Sequence, residues 1–361
     1  MSDQRHHVAA LDAVRGLAIA AMILVNNPGD WNSVFAPLQH SEWNGWTFAD
    51  VVFPFFVFIM GCAMPFAFAR RQARHGDDWR AGMRVLRRAV LLIALGLVLN
   101  LEIAAPHVSA LRIPGVLQRL ALAYLGAALI VRSTRPLRQA AIAGVLLLGY
   151  WALLTLVPFG GMPPPADLTH DRNLAGFIDA AVFGSHTLMP GFDPEGLLGT
   201  LPTIATALLG ALAGQWLRHH HDRWRQIAGL SVAGVLLAAA GLVWSVVWPI
   251  NKPLWTGSYA LLMSGIAAIT LAMTVWVMDV MDVRAWAKPF LALGVNPLAI
   301  YFGSEFVGHL LEPNKHVIYW GVFARWSDGG ELASLLFAVV YVGCWLAVAV
   351  ILDRRHIRIR V

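Results

Sequence analysis

The sequence predicts an all-α, polytopic integral membrane protein: a helical bundle of about ten transmembrane helices with both termini cytoplasmic. Three observations carry this. Of 361 residues, 58% are hydrophobic and only 13% are charged, against about a quarter charged in an ordinary globular chain, and the mean hydropathy is +0.62. The apolar residues gather in runs of about 20, the length that crosses a bilayer. The basic residues fall in short clusters between alternate runs, the pattern of cytoplasmic loops. So few polar side chains cannot coat a water-soluble enzyme. A disulfide scaffold is also excluded, because Cys62 and Cys344 both lie inside apolar runs.

The expected spans are about 9–29, 48–69, 89–106, 114–131, 139–157, 198–217, 227–248, 258–278, 290–310 and 332–352. The first apolar run, Leu17 to Val25, ends in Asn26-Asn27-Pro28-Gly29 with no small-residue cleavage motif, so it is expected to be a retained helix. The connection after the second span carries seven arginines, from Arg70 to Arg88. Taking that side as cytoplasmic puts 21 basic residues inside and six outside. This asymmetry sets both termini inside and demands an even number of spans. The net charge of +6 and pI near 9.7 are therefore a topological signal, and no nucleic-acid partner is expected. The outer connection at about 158–197 holds Pro163-Pro164-Pro165 and several glycines. It is too polar to span and too long for a plain connector, which fits a substrate loop or lid. No internal repeat is apparent, which weighs against a transporter built from two similar halves. The chain 1–361 reads as a single transmembrane domain.

Ionisable groups at membrane depth are costly and are functional candidates by default. Asp12 and Arg15, at the inner end of the first span, form either an i,i+3 ion pair or a ligand site. Asn26, His40, Glu42, Asn44 and Asp50 gather at one membrane face. Asp50 also opens the apolar run Val51 to Phe58, so a helix-capping acid is the plainer reading of it. An imidazole oriented by a carboxylate is nevertheless the usual arrangement of a general base or nucleophile. Arg112, Gln118 and Arg119 flank Pro114-Gly115, and Arg119 reads as either a snorkelling side chain or a polar-site residue. Asp193 and Glu195 precede the sixth span, and Asn251-Lys252 end the seventh. In the ninth, Asn296-Pro297 should break the helix and so line a cavity, while Glu305 and His309 share a face one turn apart. The run His219 to His221 beside Arg218 offers metal-ligating side chains, but a solvated loop is the plainer reading. Neither a spaced Cys/His set, a Walker loop nor a nucleophile elbow is present, and no metal is expected. The outer side carries 13 of the 21 acids, which would attract a cationic amine; the basic inner side would attract phosphates.

Several segments together resemble a known family. They are Leu11-Asp12-Ala13-Val14-Arg15-Gly16-Leu17, the stretch from Met22 to Gly29, and the stretch from His40 to Phe56. The likeness continues through Arg112-Ile113-Pro114-Gly115-Val116-Leu117-Gln118-Arg119, Asp193 to Pro202, Pro249 to Thr256, and Gly294-Val295-Asn296-Pro297-Leu298. In this order they resemble the heparan-α-glucosaminide N-acetyltransferase family, and its bacterial members in particular.

The resemblance implies a transmembrane acyltransferase in a bacterial inner (cytoplasmic) membrane. Acetyl-CoA would donate from the cytoplasmic side, and the amine of a glucosamine-type sugar would be acetylated on the periplasmic side. The family's catalytic histidine matches His40, and its functional Asn and Asp match Asn26 and Asp50. The segment between Asn26 and His40 is slightly longer than in lysosomal members. A large lumenal N-terminal domain is not expected, which favours a free amino sugar or a cell-wall fragment as acceptor. Arg15, Arg84, Arg87 and Arg88 are the candidates for the CoA phosphates. Arg119, Asp193, Glu195, Asn251, Lys252 and Glu305 are the candidates for the acceptor, and a homodimer is among the expected assemblies. Two alternatives stand beside this reading: a transporter of sugars or amphiphiles, and an O-acyltransferase of a glycan or lipid on the same fold.

Overall fold

The structure is a computed structural model that describes residues 2–75, 78–104, 111–161, 163–164, 168–326 and 330–359. Pro165, Asp167, Asp328 and the end of the expected third span lie outside them. Twelve α-helices make up nearly all of the regular structure among the described residues. They are α1 (Ser2–Asn26), α2 (Phe48–His75), α3 (Asp78–Ala104), α4 (Val116–Ser133), α5 (Pro136–Leu156) and α6 (Leu174–Phe183), followed by α7 (Thr200–His219), α8 (Arg223–Trp244), α9 (Gly257–Val275), α10 (Ala287–Val295), α11 (Pro297–Ile318) and α12 (Glu331–Arg354). Short 3-10 turns at Ala36–Leu38 and Ala324–Trp326 and π-helical turns at Trp276–Val280 and Tyr319–Phe323 accompany them. The pairing of extended backbone among the described residues is confined to two isolated β-bridges, Thr169 with Arg172 and Met189 with Phe192. The protein is an all-α polytopic membrane protein, as its composition requires.

Among the described residues, eight helices are long and apolar enough to span a bilayer, or nine if the bent pair α10–α11 counts as one span. Each of the eight matches an expected span to within a few residues, and the bent pair covers the expected 290–310 but runs on to Phe323. The shortfall from ten is α3. It is 27 residues long, but its uncharged stretch, 89–101, is closed in by Arg88 and Glu102 and is short for a span. The expected break at Asn296-Pro297 is present: α10 and α11 meet at 86°. Pro297 supplies no N–H and sits at the first position of α11, where none is needed. Asn296 steadies the bend, donating from Nδ2 to Ile357 O (2.9 Å) and accepting from Ile359 N at Oδ1 (2.8 Å).

The chain divides into two compact units. One comprises residues 1–42, 46–56 and 273–361, and so holds α1, the start of α2, and α10 to α12. Ile19, Ile23, Leu293, Ile300 and Tyr341 form its core. In it, α1 and α10 pack backbone to backbone: a Cβ at Gly16 would lie 1.8 Å from Phe290 O, and one at Gly294 would lie 2.2 Å from Asp12 O. Small residues permit this approach where no hydrophobic drive joins helices in lipid.

The second unit comprises residues 43–45 and 57–272. One of its cores is built from Tyr150, Leu154, Phe159, Leu174, Phe192, Trp248 and Leu254. The long connection after α5 is folded rather than loose. It contains α6, whose N-terminus is capped by Asn173 Oδ1 accepting from Gly176 N at 2.7 Å. Trp43 docks on this connection, donating from Nε1 to Leu168 O (2.7 Å) and meeting Phe192 edge-on at 5.4 Å.

Candidate active site

In the first unit, His40 and Asp50 form a dyad. His40 ends the irregular stretch after α1, and Asp50 lies in the first turn of α2. His40 Nδ1 stands 2.8 Å from Asp50 Oδ1. The imidazole is about half exposed, while the carboxylate is fully buried. Asp50 Oδ2 accepts from Ser41 N (3.0 Å), Thr47 N (3.0 Å) and Thr47 Oγ1 (3.2 Å). A first-turn acid reaching back to the N–H of the residue before the helix is a capping arrangement. Both readings of Asp50 therefore hold at once: one oxygen starts the helix and the other orients the imidazole. With a carboxylate as acceptor, Nδ1 carries the ring proton and Nε2 is the basic atom.

Asn26 is the last residue of α1, and its Nδ2 donates to Glu305 Oε1 at 3.0 Å. Glu305 and His309 lie one turn apart on α11, as the sequence spacing implies. Arg15 Nη1 donates to Asp12 Oδ1 (2.7 Å) and to Gly294 O (3.3 Å). The i,i+3 ion pair is thus formed, and it also ties α1 to α10.

In the second unit, a part-buried ionic latch gathers residues far apart in sequence. Arg112 grips Asp193 with two parallel bonds, Nε to Oδ2 (2.8 Å) and Nη2 to Oδ1 (2.6 Å), and reaches Glu195 Oε2 at 2.5 Å. Burial works against the charge on Arg112, but its bonds to Asp193 and Glu195 outweigh burial and hold the guanidinium above its ordinary pKa. Asp193 also accepts from Leu188 N (2.8 Å) and Glu195 N (2.9 Å), so its carboxylate is fully engaged. Behind it, Asp179 of α6 accepts from Leu197 N (2.9 Å) and Asp193 N (3.4 Å). Burial pushes the Asp179 carboxyl up to about 6, against these N–H groups. Gly196 is required here, because a Cβ on it would lie 1.9 Å from Asp179 Oδ2.

Arg119, in the first turn of α4, is buried beside this latch. Its Nη2 donates to Gly196 O at 2.9 Å, and its guanidinium lies 5.6 Å from the centre of the Trp255 ring. Its Nε and Nη1 are buried with no hydrogen-bond partner among the described residues. A buried guanidinium with two unused donors is ready for an acceptor such as a carbonyl, a hydroxyl or an anion.

Asn251 is also held within this unit. Its Oδ1 accepts from Leu254 N (2.7 Å) and its Nδ2 donates to Asn44 Oδ1 (3.2 Å). Lys252 is half-buried next to it. On α3, Arg87 and Arg88 are exposed, and Arg88 lies over the Tyr124 ring at 4.8 Å. Arg84 keeps a buried Nε without a partner among the described residues. Asp179 and the pairing of Arg112 with Asp193 escaped sequence reasoning. The run Asp193-Pro194-Glu195-Gly196 was their one visible sign. No group of three or more His, Cys, Asp or Glu able to hold a metal occurs among the described residues.

Comparison with known proteins adds to this geometry. The human protein named heparan-alpha-glucosaminide N-acetyltransferase (Homo sapiens) is 29% identical over 408 residues, covering 96% of this chain and 59% of its own length. The mouse protein of the same name (Mus musculus) is 28% identical over 412 residues, covering 98% and 60%. The chain thus spans about six-tenths of the length of these relatives. The family model described as heparan-alpha-glucosaminide N-acetyltransferase, catalytic, matches residues 7–243, which take in the His40–Asp50 dyad and the Arg112–Asp193 latch; the chain belongs to this family.

Proposed function

We propose that the protein is a transmembrane N-acetyltransferase of a bacterial inner membrane, with 1–361 serving as one acetyltransferase domain. It takes acetyl from cytoplasmic acetyl-CoA and delivers it to the amine of a glucosamine-type sugar on the periplasmic side. The observation that carries this reading is the dyad, a half-exposed imidazole whose Nδ1 is fixed by a buried carboxylate at 2.8 Å.

The chemistry follows from the atoms. A protonated amine cannot attack a thioester. The acceptor therefore reacts as its neutral amine, one proton having gone to solvent. As the amine nitrogen bonds to the thioester carbon and the carbonyl becomes an oxyanion, His40 Nε2 takes a second proton from that nitrogen. Asp50 stabilises the imidazolium that results. Asn26 Nδ2 has two protons, of which one goes to Glu305, and the other is proposed to polarise the carbonyl. Collapse of the adduct breaks the C–S bond, and the departing CoA thiolate takes the proton back from His40. As an acetyl carrier, His40 would instead bond the acetyl at Nε2 first and pass it to the amine second.

The CoA phosphates are assigned to Arg15, Arg84, Arg87 and Arg88, and Arg84 Nε is a donor still to be satisfied. The unused donors of Arg119 suit an acceptor hydroxyl. Asp193 and Glu195 serve through Arg112, because they already bind it. Asn251, Lys252 and Glu305 complete the acceptor assignment. Only an acetyl group is relayed, so no polyanion crosses hydrocarbon.

The test uses sealed proteoliposomes of known orientation, with acetyl-CoA on the side of the termini and glucosamine trapped on the side of the His40 loop. N-acetylglucosamine should accumulate with the glucosamine while CoA thiol stays with the donor. His40→Ala should abolish it. Product only when both substrates share one compartment would overturn the transmembrane route. A His40→Ala protein at half the normal rate would remove His40 from the chemistry.

A further inference from the structure

The hairpin of α7 and α8 carries a feature that acetyl transfer does not use. A groove of about 1000 Å³ opens along it, walled by Leu209, Leu212 and Ala213 on one helix and Ala233, Leu236 and Leu237 on the other. Its walls are hydrocarbon, while one end is lined by Arg218, His219 and His220. That end is the α7–α8 turn, and Trp216 and Trp224 stand there, both exposed. Exposed tryptophans at a helix end mark the level of the lipid headgroups. Only 17% of α8 is buried, so the groove faces the bilayer.

A second observation adds a polar demand. Gln215 also lines the groove. Its Nε2 donates to Gln139 Oε1 at 2.8 Å, but its own Oε1 is buried with no partner among the described residues. An occupant that offers a hydrogen-bond donor next to the cationic end would satisfy it. His220 is already held in place there: its ring lies against Trp216, tilted by 36° with centroids 3.8 Å apart, and its Nδ1 lies 3.1 Å from Trp216 O.

We infer that this groove is a binding site for one anionic phospholipid. The acyl chains lie between α7 and α8, the phosphate meets Arg218, His219 and His220, and a headgroup hydroxyl donates to Gln215 Oε1. Basic pockets between transmembrane helices at headgroup level suit anionic lipids. The match of charge, apolar length and orphaned acceptor favours a lipid with a hydroxylated anionic headgroup over a zwitterionic one.

The test is native mass spectrometry of the delipidated full chain with equal amounts of palmitoyl-oleoyl phosphatidylglycerol and the matching phosphatidylcholine. One phosphatidylglycerol should be retained in preference. Arg218→Gln, at an exposed site, should lower that retention about fivefold, the effect of one basic charge near a headgroup, and leave phosphatidylcholine unchanged. Ala233→Trp should fill the groove and exclude both lipids. If that variant fails to fold, Arg218→Gln decides alone. Equal retention of the two lipids, or no effect of Arg218→Gln, would overturn the site. So would displacement of the lipid by acetyl-CoA, which would make the groove a nucleotide site. The readout is independent of acetyl transfer, so its failure leaves the catalytic reading standing.

Discussion

Replacing Asp50 by Asn tests whether the dyad acts through the tautomer of His40. Oδ2 of Asp50 receives three donors, Ser41 N, Thr47 N and Thr47 Oγ1, at 3.0, 3.0 and 3.2 Å. An NH2 group cannot face three donors, so the amide oxygen of Asn takes this position and the NH2 turns towards His40. Nδ1 must then accept, and the ring proton moves to Nε2. The atom that should take the amine's proton already carries one. The structural cost is small, because the bonds that start α2 are kept. The catalytic cost is the whole general-base contribution, about 10²–10⁴ in rate; the same swap in serine-protease triads costs about 10⁴. Asp50→Ala differs, because it also removes the helix cap, worth about 1 kcal/mol. The assay is glucosamine-dependent release of CoA thiol by purified protein, alongside Tm from tryptophan fluorescence. Asp50→Asn should keep its Tm and lose about a hundredfold or more in rate across the neutral pH range. Half the normal rate at an unchanged Tm would refute the tautomer argument.

Three further outcomes are expected. Gly196→Ala forces a methyl to 1.9 Å from Asp179 Oδ2 and should destabilise the protein by about 1–3 kcal/mol, seen as a lower Tm. Asp179 has its pKa raised by burial to about 6; the native state then binds more protons than the unfolded one between its ordinary carboxylate value and about pH 6. Stability should therefore fall as pH rises through that window and level off above it, and Asp179→Asn should flatten the slope in Tm against pH. In a background lacking Cys62 and Cys344, an impermeant thiol reagent added outside should label Ala36→Cys and not Arg135→Cys; the reverse would invert the topology.

The fold was legible because membrane spans are written locally. A run of about 20 apolar residues needs no partner to be recognised, and Asn296-Pro297 announced its own bend of 86°. The helix α3 shows the limit of that signal. Its arginines and Glu102 close in on the apolar stretch, so length and hydropathy disagree with charge distribution. If α3 does cross, the even number required by the basic asymmetry is restored. If it does not, the nine spans leave the termini on opposite sides. Labelling on either side of α3 therefore decides more than one helix.

The site was legible to different degrees, and the difference follows sequence distance. His40 and Asp50 are ten residues apart, one in an irregular stretch and one in a helix's first turn, so their meeting could be argued from the chain alone. Arg112 and Asp193 are separated by 81 residues and by the whole folded connection that contains α6. Nothing local pairs them, and the sequence offered Asp193 and Glu195 as groups for a substrate. The structure spends both on Arg112. Arg112 is about a fifth exposed, so removing one partner from this part-buried pair should cost less than the roughly 3–5 kcal/mol of a fully buried one, yet the latch still holds the connection in one place. Arg119 inverts this logic. It sits among the same residues, yet two of its donors are left over, at a cost of about 1–3 kcal/mol per unsatisfied group. The contrast between a fully engaged Arg112 and an Arg119 with unused donors is the observation that supports the proposed role of Arg119 in receiving a group of the acceptor.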